Sequence, residues 1–370
     1  MSEANDQIVL VFGTRPEIIK IAPVIRECQR RDLPFTLVHT GQHYSDPLDT
    51  VFFRQLDLPE PDRQLAIGSG SHGKQTGAML TEIESALLEL PTDVVLVQGD
   101  TNSTVAGALA AAKLDVTLAH IEAGLRSFDR TMPEELNRII ADHVSDLLFA
   151  PTDHAADTLK DEGIPGQRTC VTGNTVVDAI HHNTDIADRN STALCDLALD
   201  PDGYLLVTAH RPANVDDPHT FENLLHGVNR VAKEFDRPAI YPIHPRAKET
   251  LTSANIEVPE SIRTIDPVGY FDFLALLQAA SLVLTDSGGV QEEACILEVP
   301  CVTMRDSTER PETLAVGANT LVGTDSERIL GGAREMTARP ADWPNPFGDG
   351  DAAGRILDVV AGRVKTEVIG

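Results

Sequence analysis

The chain has few positive charges, few cysteines and no long apolar run, and each shortage excludes a class of protein. Lysine and arginine together number 30 against 57 aspartates and glutamates, which gives a formal net charge of −27 at pH 7. Affinity for nucleic-acid backbones requires a concentrated basic face, and the sequence shows none. We therefore expect no nucleic-acid partner.

The acidic residues are spread along the chain instead of forming a tail, and only 7 of the 30 basic residues are lysine. Such a surface suits a salt-rich cytoplasm, because the Debye length falls to about 3 Å at about 1 M salt and self-repulsion is screened. The first apolar run, Ile8–Phe12, is too short to span a membrane, and we see no secretion signal. We expect a halophilic, cytoplasmic protein that does not bind membranes.

The cysteines number five and include no C-x-x-C pair, so they predict neither a disulfide framework nor a zinc site. We expect all of them to be small buried residues of a reducing compartment. The histidines match no metal-binding spacing, and no metal is assigned. The five residues are Cys28, Cys170, Cys195, Cys295 and Cys301.

A length of 370 residues with 42% hydrophobic residues predicts two domains, at roughly 100 to 200 residues each. Short apolar, β-branched runs recur, and each precedes a stretch with helical periodicity, which is typical of a parallel sheet with crossover helices. We expect an α/β protein of two Rossmann-like, doubly wound domains. The predicted strands are Ile8–Phe12, Phe35–His39, Val94–Gln98, Val116–His120, Leu147–Ala150, Cys170–Thr172, Leu205–Ala209, Ala239–Ile243, Arg263–Ile265, Leu282–Thr285, Cys301–Met304 and Thr320–Val322.

The boundary between the domains is predicted from a polar, charged stretch that ends at Pro201-Asp202-Gly203. We place the N-terminal domain at residues 1–172 and the C-terminal domain at residues 173–352. The amphipathic segment 353–370 is expected to pack back on the first domain. The polar residues that follow the strands should line a cleft between the two domains, since parallel sheets bind ligands beyond the carboxyl ends of their strands.

The best candidate anion site is the stretch Thr285–Val290, which leads into a helix. Its glycines allow a phosphate to approach the backbone, and the free amides of the first turn attract negative charge. Glu293 lies about one turn further on, where it can accept from ribose hydroxyls. An ordinary glycine-rich turn is the alternative.

Arg15 and Lys20 form a second candidate for phosphate binding, near the start of the first helix. A solvated surface face is the alternative for this pair. For Arg310 the sequence leaves two interpretations open: it is a phosphate ligand, or it pairs with its acidic neighbours.

Three carboxylates follow strands or begin a helix: Asp100, Glu122 and Glu134. Carboxylates gathered in a closed cleft can serve as acid and base, although most acidic residues of so acidic a chain are solvated. His210 follows the first strand of the second domain and can titrate near neutrality or donate to a phosphate. His244 is expected to be a satisfied core histidine.

The segment Gly68–Lys74 matches G-x-G-x-x-G and resembles a P-loop, but Gln75 stands where a P-loop has serine or threonine. No strong strand precedes it, because residues 63–67 contain only three apolar side chains. We interpret this segment as a mobile glycine-serine loop over the cleft.

Taken together, these motifs resemble the non-hydrolysing UDP-N-acetylglucosamine 2-epimerase family, which has the two-domain GT-B architecture. The resemblance extends in one order from residue 12 to beyond residue 310. It is carried by Phe12–Glu17, Gln98–Thr101, His120–Arg126, Pro133–Arg138, Thr172–Thr175, Thr208–Arg211, Asp286–Glu293 and Met304–Glu312.

The resemblance implies reversible epimerisation at carbon 2 of UDP-N-acetylglucosamine through a 2-acetamidoglucal, without a cofactor and in a homodimer. It makes Asp100, Glu122, Glu134 and His210 the catalytic group. It places UDP against Arg15, Lys20, Ser287, Gly288, Gly289, Glu293 and Arg310, with Phe273 near the uracil.

Four other functions stay open on the sequence. A 2,3-diacetamido uronate 2-epimerase uses the same residues, and a GT-B glycosyltransferase shares the fold and the UDP contacts. A hydrolysing relative would release free N-acetylmannosamine instead of a nucleotide sugar. A non-catalytic sensor of nucleotide sugars is disfavoured by the three carboxylates.

Overall fold

A computed structural model describes residues 7–42 and 52–367 of the chain. They divide into two compact units: residues 1–179 with 347–370, and residues 180–346. Each unit is built on one parallel sheet, with strand order β3-β2-β1-β4-β5-β6-β7 in unit 1 and β10-β9-β8-β11-β12-β13 in unit 2. The predicted α/β class, with two doubly wound sheets, is confirmed.

Helices stand between most consecutive strands of both units, as crossover connections between parallel strands require. In unit 1 they are β1 Ile8–Phe12, α1 Arg15–Arg30, β2 Phe35–His39, β3 Arg63–Gln64, α2 His72–Glu89, β4 Val94–Gln98, α3 Asn102–Ala111, β5 Thr117–Ile121, α4 Pro133–Val144, β6 Leu147–Ala150, α5 Asp153–Asp161, β7 Thr169–Val171, α6 Thr175–Asn190, which continues into unit 2, and α15 Ala352–Glu367. In unit 2 they are α7 Ala193–Leu197, β8 Leu205–Thr208, α8 Pro212–Val215, α9 Pro218–Phe235, β9 Ala239–Pro242, α10 Pro245–Ser253, β10 Ile262–Ile265, α11 Tyr270–Gln278, β11 Leu282–Thr285, α12 Gly288–Ile296, β12 Cys301–Thr303, α13 Pro311–Ala315, β13 Asn319–Leu321 and α14 Ser326–Ala338.

All twelve predicted strands are present, with ends shifted by one residue at most. Strand β3 was missed, because its two residues are both exposed and carry no apolar pattern. Each sheet reverses its strand order once, between β1 and β4 in unit 1 and between β8 and β11 in unit 2. Loops that leave strands at such a switch point are where open α/β sheets bind ligands.

Helix α1 shows how burial selects these elements. Ile18, Ala22 and Ile25 are fully buried on one face of the helix, as their spacing predicts. Pro16 lies in the first turn, where its missing N–H breaks no helical hydrogen bond. Helix α15 packs on α1, and Arg31 contacts Asp358 at 2.6 Å across this pair. Residues 368–370 of the predicted C-terminal segment lie outside the described residues.

The predicted glycine-serine loop at Gly68–Lys74 is wrong in its second half. Ser71 is the N-cap of α2, so Gly73 and Lys74 lie in the first turn of that helix. Gln75 fixes this helix start to the neighbouring loop, because its side-chain amide donates to the carbonyls of Gln42 at 2.9 Å and Gly68 at 2.7 Å.

The expectation that all cysteines are buried is wrong for two of them. Cys195 is exposed and Cys170 is half-buried, because Cys195 lies in the short helix α7 and Cys170 in β7, an edge strand of its sheet. Burial raises the pKa of the Cys28, Cys295 and Cys301 thiols to about 12, which keeps these three protonated.

Gly124 follows β5 and has φ +86°, and a Cβ there would lie 2.3 Å from the carbonyl oxygen of Ala155. We expect Gly124→Ala to lower the free energy of unfolding by about 2–5 kcal/mol, through the left-handed backbone and the overlap together. Gly163→Ala is the matched control, since Gly163 has φ +84° with nothing within 4 Å. Calorimetry should show a loss of only about 1–2 kcal/mol for the control. Equal losses would mean that the overlap has no cost.

Candidate functional site

In unit 1, the loop from β1 to α1 is held by a buried carboxylate. Glu17 accepts from the backbone amides of Gly13 at 3.0 Å and Thr14 at 2.8 Å. The hydroxyls of Thr101 and Thr104 also donate to it, from the loop after β4 and from α3. Burial raises the pKa of Glu17 to about 7, against the effect of these donors. Glu17 thus ties together the two loops at the switch point of the sheet.

Glu122 lies at the end of β5 and is nearly buried, with a left-handed φ of +69°. Its Oε2 atom accepts hydrogen bonds from the ammonium of Lys20 at 2.6 Å and from the side-chain amide of Gln98 at 2.8 Å. Lys20 is predicted from the sequence to be a ligand of UDP. In the structure it pairs with a proposed catalytic carboxylate from a strand more than a hundred residues away.

Asp100 follows β4 and contacts two residues of α4. Its carboxylate pairs with the guanidinium of Arg138, and its carbonyl accepts from the Asn137 side chain at 2.9 Å. Arg138 also reaches the buried carboxylate of Glu135 at 3.0 Å. Glu135 in turn accepts from the backbone amide of Phe128 at 3.0 Å. Helix α4 therefore sets the position of Asp100.

Glu134 is not part of this cluster. It lies in the first turn of α4 with its side chain exposed, next to the buried Glu135. Arg15 is the first residue of α1 and is also exposed. The structure thus brings Lys20 to Glu122 and fixes Asp100, but it leaves Glu134 and Arg15 on the surface of unit 1.

A second buried network contacts the loops that follow β4 and β5. The Nε2 atom of His120 donates to the Gly99 carbonyl at 2.8 Å, and its Nδ1 atom lies 2.7 Å from Oδ1 of Asp142. The Asp142 carboxylate also pairs with the guanidinium of Arg126 at 2.7 Å and accepts from the backbone amide of Gly124 at 3.2 Å. These contacts fix the residues beside Asp100 and Glu122 and lower the pKa of Asp142 in spite of its burial.

In unit 2, Asp286 joins the loop that follows β8 to the loop that follows β11. This fully buried carboxylate accepts from the backbone amides of His210 at 3.0 Å and Arg211 at 2.9 Å. It also lies 3.1 Å from the Nδ1 atom of His210 and 3.2 Å from the amide nitrogen of Asn214. Burial would raise the pKa of Asp286, but the contacts with His210 and with these amides lower it.

Asp286 lies within the predicted anion site Thr285–Val290, and the next residue begins the helix of that site. Ser287 is the N-cap of α12, and Gly288 and Gly289 form its first turn. A Cβ at Gly289 would meet nothing within 4 Å, so the space next to this helix start is open. Glu293 lies about one turn further along α12 and is half-buried. Free amides and open space at a helix N-terminus suit a phosphate group.

Arg310 is buried, and its guanidinium lies 2.6 Å from the buried carboxylate of Glu292 on α12. It is thus paired with an acidic residue, which is one of the two possibilities predicted from the sequence. The neighbouring Glu309 pairs with Arg305 at 2.9 Å, and this contact holds the pKa of Glu309 at about 2 although burial would raise it.

A cavity of about 210 Å³ in unit 2 is lined by His210 and Phe273 together. His244 lines it as well, with its ring centroid 5.9 Å from that of His210. The prediction of a core position for His244 is wrong: this histidine is exposed, because it caps α10 by accepting from the amide of Arg246. The partial burial of its ring lowers the pKa of His244, and the nearby His210 and Arg246 lower it further.

Several positions that hold the site were not assigned from the sequence, among them Gln98, Glu135, Arg138 and Asp286. Glu135 and Arg138 are three residues apart in a predicted helix, and this spacing was a signal for an ion pair. Gln98 and Asp286 contact partners 24 and 76 residues away, and no local pattern reveals such contacts.

Comparison with known proteins decides the family. A family model described as UDP-N-acetylglucosamine 2-epimerase matches residues 26–361. The chain belongs to this family. Its relatives include the UDP-N-acetylglucosamine 2-epimerase of Methanococcus maripaludis, 49% identical over 97% of this chain and 99% of that protein. The UDP-2,3-diacetamido-2,3-dideoxy-D-glucuronate 2-epimerase of Pseudomonas aeruginosa is 43% identical over 96% of this chain and 99% of that protein.

A solved structure of a family member supports the same assignment. The UDP-GlcNAc 2-epimerase of Methanocaldococcus jannaschii, crystallised with UDP-GlcNAc and UDP, has a TM-score of 0.87 at 48% identity. The match covers 96% of this chain and 99% of that one. The predicted GT-B fold is thereby confirmed for the family to which this chain belongs. No helix in the described part of the chain is long and apolar enough to cross a membrane.

Proposed function

We propose that the protein interconverts UDP-N-acetylglucosamine and UDP-N-acetylmannosamine by inverting carbon 2 of the sugar. UDP leaves carbon 1, with the electron pair of the broken bond, as a base takes the proton from carbon 2. The products are 2-acetamidoglucal and UDP, and UDP then re-adds to carbon 1 as carbon 2 is protonated on the other face. Elimination and re-addition balance without an oxidant. Family membership and the relatives of this name support the proposal.

The nucleotide contacts are assigned to unit 2, with Arg15 of unit 1 as a further ligand of the diphosphate. Gly288 and Gly289 offer the backbone amides of a helix start, and the N-cap Ser287 offers its hydroxyl, so that all three stabilise the charge that develops on departing UDP. Glu293 accepts from the ribose, and Phe273 packs near the uracil. Arg310, whose guanidinium lies 2.6 Å from the Glu292 carboxylate of α12, is assigned as a further ligand of UDP.

The carboxylates of unit 1 are assigned to proton transfer. Proton transfer by a positioned side chain contributes about a hundredfold to ten-thousandfold in rate. The observation that carries the proposal is the set of contacts around Glu122. Its nearly buried carboxylate accepts from the ammonium of Lys20 at 2.6 Å and from the amide of Gln98 at 2.8 Å, and these contacts hold it in one position. Asp100, Glu134 and His210 complete the proposed catalytic group, in which Glu122 and Asp100 are each held by an ion pair, with Lys20 and with Arg138.

The test is incubation with UDP-N-acetylglucosamine alone in deuterated water. Deuterium at carbon 2 of both nucleotide sugars is expected, since the proton is exchanged during each turnover. A glycosyltransferase would be inert until an acceptor is added, and a sensor would never exchange this hydrogen. Release of free N-acetylmannosamine would indicate a hydrolysing enzyme. Any of these three results would contradict the proposal.

A second substrate is favoured by the Pseudomonas aeruginosa relative, which is named for a diacetamido uronate and is 43% identical to this chain. The identity to epimerases named for UDP-N-acetylglucosamine is higher, at 48% and 49%. We therefore expect kcat/KM to be larger for UDP-N-acetylglucosamine when both nucleotide sugars are compared under the same conditions.

We further propose a halophilic, cytoplasmic homodimer that supplies a precursor of polysaccharides. The formal charge of −27 predicts that self-repulsion destabilises the fold when salt is removed. Dialysis from about 2 M to about 0.05 M potassium chloride should abolish activity and lower the thermal midpoint, because the Debye length grows from about 2 Å to more than 10 Å. Full activity in the low-salt buffer would contradict the prediction. Sedimentation at both salt concentrations tests the dimer.

A further inference from the structure

His210 and Asp286 form a histidine–carboxylate pair whose geometry determines the position of the ring proton. The Nδ1 atom of His210 lies 3.1 Å from Oδ1 of Asp286, within the range of an N–H···O hydrogen bond. Asp286 is fully buried, while 40% of the His210 side chain is exposed. The pair therefore consists of a buried carboxylate, Asp286, and an accessible imidazole ring, His210.

The surroundings of Asp286 leave it only the role of acceptor. Two backbone amides and the amide of Asn214 donate to its oxygens. These contacts and His210 hold the pKa of Asp286 below its ordinary value, so the group is ionised at neutral pH. An ionised carboxylate has no proton to donate. The proton in the contact with His210 must therefore be on Nδ1.

We infer that Asp286 is a positioning residue that keeps the His210 proton on Nδ1, so that Nε2 is the nitrogen that exchanges a proton with the substrate. Nε2 makes no hydrogen bond to the part of the chain that the structure describes. The ring lines the 210 Å³ cavity with Phe273, and Asp286 directly precedes the helix start assigned to the diphosphate. The catalytic role of His210 rests on the proposed function, whereas the position of the proton does not.

The position of the proton is measured directly by nitrogen NMR of the full chain labelled with ¹⁵N-histidine. His210→Gln identifies the His210 signals by their loss from the spectrum. At a pH where the ring is neutral, we expect a protonated Nδ1 and an unprotonated Nε2 in the wild-type protein. A protonated Nε2 would overturn the inference, whether or not the chain proves to be an epimerase.

Asp286→Asn tests the consequence for catalysis. The asparagine oxygen can still accept from the amides of Arg211 and Asn214, but its amide group would donate to Nδ1 and shift the ring proton to Nε2. We expect kcat to fall by about a hundredfold or more, as expected for the wrong tautomer of a catalytic histidine, with the Kd of UDP unchanged within about threefold. The NMR signals of His210 should show the reversed tautomer.

Asp217→Asn is the matched control, because Asp217 is also an acceptor at a helix start of unit 2, capping α9 through the amide of Thr220 at 2.8 Å. It should keep the wild-type kcat and the wild-type His210 signals. Wild-type kcat in Asp286→Asn with a reversed tautomer would overturn the inference about Nε2. Loss of activity with an unchanged tautomer would show that Asp286 acts only by supporting the loop.

Discussion

Glu122→Gln is expected to lower kcat for the epimerisation at least about a hundredfold while UDP still binds with its wild-type Kd. The amide oxygen can still accept from Lys20 and Gln98, so the shape of the site is kept. The amide cannot take up a proton, however, and proton transfer at this position is lost. Steady-state kinetics and a titration with UDP provide the two measurements.

Glu27→Gln is the matched control for this variant. Glu27 is on the same helix as Lys20 and pairs with Arg30 and Arg31, and these two arginines lower its pKa to about 2. Neutralising it should change kcat by less than about twofold, since its partners Arg30 and Arg31 belong neither to the proposed catalytic group nor to the proposed UDP contacts. Glu122→Gln with more than about a third of the wild-type kcat would refute the assignment of Glu122.

Lys20→Met separates two functions of the lysine. If Lys20 serves mainly to hold the charge of Glu122, kcat falls and the Kd of UDP stays constant. If Lys20 is instead a ligand of the diphosphate, the Kd of UDP rises. The 2.6 Å contact with Glu122 favours the first result.

Arg138→Met is expected to lower the free energy of unfolding by about 3–5 kcal/mol, because it leaves a buried carboxylate without its partner. Arg138 and Glu135 are 7% and 2% exposed. The same change releases Asp100 from its ion pair, so kcat should fall as well. Thermal unfolding and steady-state kinetics at constant high salt measure both effects.

A double variant distinguishes stability from catalysis. Arg138→Met with Glu135→Gln removes the buried charge and should recover most of the lost stability. Its kcat should stay low, because Asp100 is still unsupported. Arg230→Met is the control, since its pair with Glu327 is exposed and contributes about 0–1 kcal/mol. Recovery of both stability and kcat in the double variant would show that Asp100 does not depend on Arg138.

The sequence predicts the architecture well because buried parallel strands read as continuous apolar runs. All residues of Ile8–Phe12 and Val94–Gln98 are buried, and both strands have the predicted ends. Exposed elements carry no such signal, which explains why Arg63–Gln64 was missed. The start of α2 was missed for a different reason. Gly73 suggested a loop, whereas the cap at Ser71 determines where this helix begins.

The sequence predicts which residues belong to the site, but it does not predict which of them contact one another. The residues that follow strands are visible in the sequence, so Asp100, Glu122 and His210 could be selected. Their partners come from elsewhere in each unit: Lys20 and Glu122 are separated by 102 residues, and His210 and Asp286 by 76. Pairing over such separations depends on the three-dimensional arrangement of the strands, which no local periodicity encodes.

The last helix has a consequence for the order of events during protein synthesis. Its residues Ile356, Leu357 and Val360 are buried in unit 1, although all of unit 2 is translated before them. The strands of unit 1 therefore leave the ribosome early, whereas the helix that packs on α1 emerges only after all of unit 2. Until then, Ile356, Leu357 and Val360 are missing from that surface, and the nascent first unit exposes apolar side chains to chaperones and to neighbouring chains.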